Sequence, residues 1–157
     1  MIRAATAAIT IAIALAFAAP ASADPRADPR ADVLAVVTAA LTAINTNDAV
    51  MFKKLMLSQA IIAAQIYQVD GSLVTRTMSV ADMADRIAAP GRHIDEQLVD
   101  SALLIQRDLA HVWARYTLDS DGRRLHCGVD SFGLVRLDGV WRISSLTWTA
   151  EPQGCPK

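Results

Sequence analysis

The sequence lacks the motifs that usually mark a metal site, a phosphate site or a serine nucleophile. Its three histidines, His93, His111 and His126, are scattered, with no H-E-x-x-H motif, no C-x-x-C pair and no paired carboxylate spacing. It also has no glycine-rich phosphate loop and no G-x-S-x-G turn. We therefore expect neither a metal nor a cofactor.

An excess of charge of either sign is also absent. The chain has 15 basic and 16 acidic residues in 157, a net charge of −1 with histidine neutral. Proteins that bind nucleic acid or anionic membranes usually carry a basic patch or a high net positive charge. The balance therefore argues against a nucleic-acid partner and favours a solvated enzyme or binding domain.

The N-terminus has the three parts of a secretory signal peptide. Arg3 supplies the positive charge, an uncharged run rich in Ala and Ile follows, and Ala21-Ser22-Ala23 forms an A-x-A cleavage site. The apolar run is too short for a membrane anchor, and no stop-transfer flank follows it. We expect cleavage after Ala23 and a periplasmic or secreted protein. Removal of residues 1–23 leaves 134 of the 157 residues, a single-domain length, with 14 basic and 16 acidic residues.

Cysteine is scarce, with only Cys127 and Cys155 in the chain. An even number of cysteines in an exported protein predicts a disulfide, which in the chain-entropy model stabilises by roughly 3–4 kcal/mol. Two free thiols are the alternative, because sequence alone does not show whether the two residues approach each other.

Helical patterns are confined to the first part of the mature chain. Residues 24–32, DPRADPRAD, contain two prolines among polar residues and predict a flexible arm before a domain over 33–155. An apolar stripe predicts a helix from about Asp32 to Asn45, and a shorter helix follows Asp48. Ser79 and Asp82 resemble a capping box for a third helix, which Pro90-Gly91 ends.

The rest of the chain predicts strands joined by tight turns. Asp-Gly pairs at 70–71, 121–122 and 138–139 each separate two β-rich runs, and this dipeptide favours hairpin turns. A hairpin over 61–78 precedes the third helix, and four long antiparallel strands then form a meander from about Ile94 to Thr149. The predicted class is α+β, with helices packed on one face of a curved sheet.

Residues 108–149 resemble a known family. The strand DLAHVWARY, the strand HCGVDSF and the turn and strand DGVWRI, with Gly154-Cys155 near the end, are similar to exported nuclear transport factor 2-like proteins of the SnoaL-like and lumazine-binding types. The resemblance implies a cone: a curved antiparallel sheet wrapped around N-terminal helices, with a pocket at the open end and a homodimer formed through the sheet. It implies little about function, because this fold hosts isomerases, dehydratases, cyclases, hydrolases and binding modules.

Two candidates for acid–base chemistry lie close together in the sequence. Side chains alternate along a strand, which places His126, Asp130 and Phe132 on one face and Cys127 on the other. Enzymes of this fold use an Asp or His that projects into an apolar cone, so Asp130 is the preferred general base and His126 the second choice. The alternative for Asp130 is a surface carboxylate paired with Arg115 or Arg142 across the sheet.

Aromatic residues make up only 5% of the chain, and they suggest the wall of a pocket. We expect Trp141 to be structural. The candidate ligand-binding residues are Tyr67, Trp113, Tyr116, Phe132 and Trp148.

Three functions fit this sequence. The first is a binding domain for a small apolar or aromatic molecule, without a reaction. The second is an isomerase, dehydratase or cyclase with Asp130 or His126 as general base. The third is a structural or dimerisation module whose pocket is filled by its own side chains.

Overall fold

The computed structural model describes residues 28–89, 91 and 93–156 of the chain. The predicted signal peptide, residues 1–23, lies outside the described residues, as do residues 24–27 of the predicted arm and Pro90 of the predicted helix stop.

Helix α1 (Pro29–Asn45) begins inside the segment that we predicted to be a flexible arm. The Asp28 side chain caps it by accepting a hydrogen bond from the backbone N–H of Arg30 at 2.9 Å. Proline is well suited to the first helical turn, where its missing N–H needs no partner. The second Asp-Pro pair therefore starts a helix, and the arm prediction is wrong for residues 29–32.

Two short helices follow where the sequence predicted them. Helix α2 (Ala49–Leu55) is capped by Asp48, whose side chain accepts from the backbone N–H of Met51 at 2.8 Å. Helix α3 (Val80–Ala88) has the predicted capping box. Ser79 Oγ accepts from the backbone N–H of Asp82, and the Asp82 carboxylate accepts from the backbone N–H of Ser79, both at 3.1 Å.

Six strands form one curved, unclosed sheet in the order β2-β1-β6-β5-β4-β3. They are β1 (Met56–Tyr67), β2 (Leu73–Met78), β3 (Ile94–Gln106), β4 (Leu109–Ser120), β5 (Arg123–Leu137) and β6 (Val140–Ala150). The hairpin and the four-stranded meander are confirmed. The sheet is mixed, however, because β1 runs parallel to β6. The predicted α+β class is confirmed.

The turns show why Asp-Gly predicted hairpins. Asp121 and Gly122 have φ values of 52° and 75°, and Asp138 and Gly139 have 50° and 80°. A two-residue turn with both residues in the left-handed region matches the twist of antiparallel strands, and Asp and Gly adopt that region at low cost.

The core lies between α1 and the concave face of the sheet. Buried residues of α1, among them Val33, Val37 and Ile44, form one cluster with Val112, Phe132 and other inward-facing residues of the strands. Within the described part of the chain, no helix is long and apolar enough to span a membrane.

Cys127 on β5 forms a disulfide with Cys155, with the two Cα atoms 5.4 Å apart. The predicted disulfide is confirmed, and it fastens the segment after β6 to the sheet. Cys127 and Glu151 also form an isolated antiparallel bridge, with N···O distances of 3.0 and 2.8 Å.

Candidate functional site

Asp130 is the central residue of the candidate site. It lies on the concave face of β5 between Ala114 of β4 and Trp148 of β6, and only 3% of its surface is exposed. Its Oδ2 atom is buried and has no hydrogen-bond partner among the described residues. Buried carboxylates are normally paired or hydrogen-bonded, so this oxygen is the exception to be explained.

The surface alternative for Asp130 is wrong. Arg115 forms its ion pair with Asp100, and Arg142 donates to the backbone carbonyl of Lys54 at 2.6 Å. Asp130 itself is buried, because strand alternation turns it towards α1 together with Phe132 and Leu134.

The acidic neighbour of Asp130 is Glu96 of β3, which our sequence analysis missed. The two carboxyl groups are close enough to hydrogen-bond to each other. Two hydrogen bonds fix the Glu96 backbone to the last residue of α1: Asn45 Nδ2 donates to the Glu96 carbonyl at 2.9 Å, and the Glu96 N–H donates to Asn45 Oδ1 at 2.8 Å. Glu96 lies on the same face of β3 as Ile94 and Leu98, which pack on the core. An acid within that alternating pattern was the signal that could have identified it.

The carboxyl pair holds a proton because two like charges this close in a buried site are unfavourable. Burial, and then the charge of Glu96, raise the pKa of Asp130 well above its ordinary value of 3.8. Burial also raises the pKa of Glu96, and the hydrogen bond from Asp130 opposes that rise. We therefore assign the proton to the Asp130 oxygen that faces Glu96, where it forms the hydrogen bond to the Glu96 carboxylate, and Oδ2 is the other oxygen, which accepts no hydrogen bond.

Tyr116 and His126 form a second polar group on the same face. The Tyr116 hydroxyl donates to the Thr149 carbonyl at 2.7 Å, and its oxygen lies 3.1 Å from His126 Nδ1. Since the phenol proton is used by the carbonyl, the Nδ1–H of His126 is the donor to the phenol oxygen. Burial and the nearby charges of Asp130, Glu96 and Glu151 raise the pKa of Tyr116, which keeps the phenol neutral.

Gly128 makes this arrangement possible. It is the partner of Tyr116 on β5, and a Cβ atom there would lie 2.2 Å from the Thr149 carbonyl oxygen. The β5–β6 ladder is interrupted here, and Thr149 Oγ1 accepts from the Val129 N–H at 3.0 Å. Because Gly128 on β5 has no side chain, the Tyr116 hydroxyl on β4 can reach across β5 to the Thr149 carbonyl on β6.

The other predicted ligand-binding residues divide between three places. Phe132 is buried and Trp148 partly buried, both against the core on the concave side, and Trp141 is a buried core residue as expected. Trp113 lies on the convex face with 52% of its surface exposed. Tyr67, 41% exposed, borders a surface cavity. The structure therefore groups Tyr116, Phe132 and Trp148 around Asp130 and places Trp113 and Tyr67 elsewhere.

Two surface cavities lie away from Asp130 and Glu96. One of about 460 Å³ lies along the outer side of α1 and is lined mainly by Ala and Thr of that helix, with Asp48 and Met51 at one end. The other, of about 320 Å³, is lined by Tyr67, Gln68, Glu151, Pro152 and Gln153. Within the described ranges, no three His, Cys, Asp or Glu residues are grouped so that they could hold a metal ion.

Comparison with known proteins identifies the fold. No protein-family model matches the sequence, and no curated protein matches it. Solved structures do match. A nuclear transport factor 2-like protein from Cytophaga hutchinsonii has a TM-score of 0.66 at 17% identity, over 79% of this chain and 99% of that one.

Two further structures show how varied such proteins are. One from Shewanella baltica, of unknown function, has a TM-score of 0.58 at 19% identity, over 79% of this chain and 94% of that one. One from Streptomyces avermitilis, provisionally assigned as a dehydratase, has a TM-score of 0.56 at 15% identity, over 76% and 94%. The protein therefore has the nuclear transport factor 2-like fold, as its resemblance implied. Identities this low establish the fold and leave the function open.

Proposed function

We propose that the protein is an exported domain that binds a small, largely apolar or aromatic molecule beside Asp130, on the concave side of its sheet. The observation that carries this proposal is the buried Asp130 Oδ2, which accepts no hydrogen bond from the described residues and lies beside core side chains such as Phe132 and Trp148. An unsatisfied buried polar group costs roughly 1–3 kcal/mol. A ligand that provides a hydrogen-bond partner there recovers this cost.

The surroundings of Asp130 favour a ligand of modest size. Phe132, Leu98 and Trp148 supply apolar and aromatic contacts, and Tyr116 and His126 supply polar groups. Neither surface cavity is lined by Asp130. We expect a ligand to displace partly buried side chains such as Trp148 and Leu98, which limits the volume available to it.

Binding is tested with the mature chain and a panel of small aromatic molecules, by tryptophan fluorescence and native mass spectrometry. Asp130→Leu removes the polar group at similar volume and should weaken binding by about fivefold or more, since the polar group of the ligand would then be buried without a partner, at a cost of roughly 1–3 kcal/mol. Asp85→Leu, at an exposed position on α3, is the control and should bind normally. Unchanged affinity in Asp130→Leu, or no binding by the wild type, contradicts the proposal.

A second candidate is an isomerase, dehydratase or cyclase in which Asp130 or His126 moves a proton. The raised pKa of Asp130 favours it, because a carboxyl group that titrates closer to neutral pH suits acid–base catalysis. A bound ligand should then exchange a carbon-bound hydrogen with deuterated water, measured by mass spectrometry. Asp130→Asn should abolish this exchange, and absence of exchange in the wild type argues for binding alone.

The disulfide supports export, because such bonds persist in oxidising compartments such as the periplasm. We also propose that two copies associate through the convex face of the sheet. Its exposed apolar side chains include Trp113, Leu104 and Ile61.

A further inference from the structure

We propose that the Asp130–Glu96 pair binds the ammonium group of a small organic amine, whose apolar body packs against Trp148 and Phe132. This inference rests on the proposed function and names the class of ligand. It is carried by Asp130, a buried acid with an unpartnered oxygen, next to the second carboxyl group of Glu96.

The region around Asp130 is rich in acids. Asp130, once ionised, and Glu96 and Glu151 all act on the Tyr116 hydroxyl through their charges. Among the described residues, the arginines that form ion pairs do so with other acids: Arg115 with Asp100, Arg124 with Asp119 and Arg136 with Asp108. A cation that reaches the pair therefore meets negative charge that these arginines do not neutralise.

The chemistry of the pair favours an amine over a metal ion. Ca²⁺ and Mg²⁺ require six or more oxygen ligands, and the described residues contain no group of three suitable side chains. An ammonium group needs only a few acceptors, because it carries three N–H donors. Trp148, the register neighbour of Asp130 on β6, and Tyr116 are aromatic rings of the kind that attract cations.

Binding of an amine should displace the proton that the pair holds. Burial raises the pKa of both carboxyl groups, and the charge of Glu96 raises that of Asp130 further, which favours a free pair that shares one proton and carries one negative charge. When the ammonium ion enters, both carboxyl groups become carboxylates that accept its N–H bonds, and the shared proton goes to solvent. The groups nearby that titrate or carry charge are His126 on β5, Tyr116 on β4 and Glu151 after β6.

The experiment compares naphthylmethylamine with naphthylmethanol by isothermal titration calorimetry. The two probes share an aromatic body and differ in the polar group. We expect the amine to bind the wild type at least about tenfold more tightly than the alcohol, the equivalent of roughly 1.4 kcal/mol. Titrations in two buffers of different ionisation enthalpy should show about one proton released per amine bound.

The variants assign the effect to the pair. Glu96→Gln should lose the preference for the amine and the proton release while still binding the alcohol, and Asp85→Asn on α3 should behave as wild type. In the wild type, amine affinity should rise about tenfold per pH unit while the free pair holds its proton. This pH dependence is measured on the wild type, so it does not depend on whether a variant folds.

The outcomes separate this inference from the proposed function. If the wild type binds the alcohol as tightly as the amine, or releases no proton, the amine inference is wrong and small-molecule binding stands. If it binds neither probe nor any member of the aromatic panel, both proposals fail.

Discussion

At the scale of single residues, Asp130 is a deeply buried acid, and its burial lowers the free energy of unfolding at neutral pH. Its pKa is higher in the folded protein than the ordinary 3.8, so the folded state binds its proton more tightly than the unfolded chain does. Above pH 4 the unfolded chain gains stability by ionising Asp130, while the folded protein still keeps the proton. Stability therefore falls as pH rises, by about 1.4 kcal/mol per unit, until the folded pKa is reached.

Asp130→Asn should remove this pH dependence. The amide has nearly the same shape, does not ionise, and can donate to the Glu96 carboxylate. We expect the variant to equal the wild type at about pH 4 and to exceed its free energy of unfolding by about 1 kcal/mol or more at about pH 8. Urea denaturation at several pH values measures the difference, with Asp85→Asn as the matched exposed control. A variant that is less stable at every pH contradicts this account of Asp130.

At the scale of elements, the interruption between β5 and β6 at Gly128 shapes the site. A methyl group at Gly128 would strike the Thr149 carbonyl oxygen, a backbone atom, at 2.2 Å. At Gly133 a methyl group would meet Ser145 Oγ at 2.4 Å, the end of a side chain that can rotate away. The two glycines therefore allow a direct comparison, because an added methyl group meets a fixed backbone atom at one and a movable side chain at the other.

Gly128→Ala should destabilise the protein by roughly 1–3 kcal/mol, as overpacking in a rigid site usually does. Gly133→Ala should cost less. Gly128→Ala should also displace the Tyr116 hydroxyl from Thr149, which NMR of the tyrosine ring can detect. Equal losses of stability in the two variants would contradict this account, because they would show that the backbone at Thr149 moves as easily as the Ser145 side chain.

Local patterns predicted most of the elements because their causes are local. The capping box at Ser79 and the Asp-Gly turns depend on neighbouring residues, and both appear as predicted. The parallel pairing of β1 with β6 has no local signal, since the two strands are separated in the sequence by four other strands and a helix. Periodicity correctly placed Asp130 and Phe132 on one face. It could not reveal Glu96, because β4 lies between the strands of Glu96 and Asp130 and their approach depends on the curvature of the sheet.

At the scale of the whole molecule, the two faces of the sheet carry different side chains. The concave face is covered by α1 and encloses the acid pair. The convex face carries large apolar side chains with no partner in one copy of the chain: Leu104 is 70% exposed, Ile61 65% and Trp113 52%. These exposed apolar side chains on one face of the sheet are the observation on which the proposed dimer interface rests.

The proposed dimer makes a direct prediction for Trp113. Tryptophan is the residue most enriched among those that dominate interface energies, and a buried charge there without a counterion is costly. Trp113→Glu should therefore convert the dimer to a monomer at micromolar concentration, as measured by light scattering after size-exclusion chromatography. Val50→Glu, also at an exposed apolar position but on α2, should leave the dimer intact. If the wild type is a monomer at high concentration, the convex face is not a self-association surface. If Trp113→Glu still dimerises, the interface lies elsewhere on the molecule.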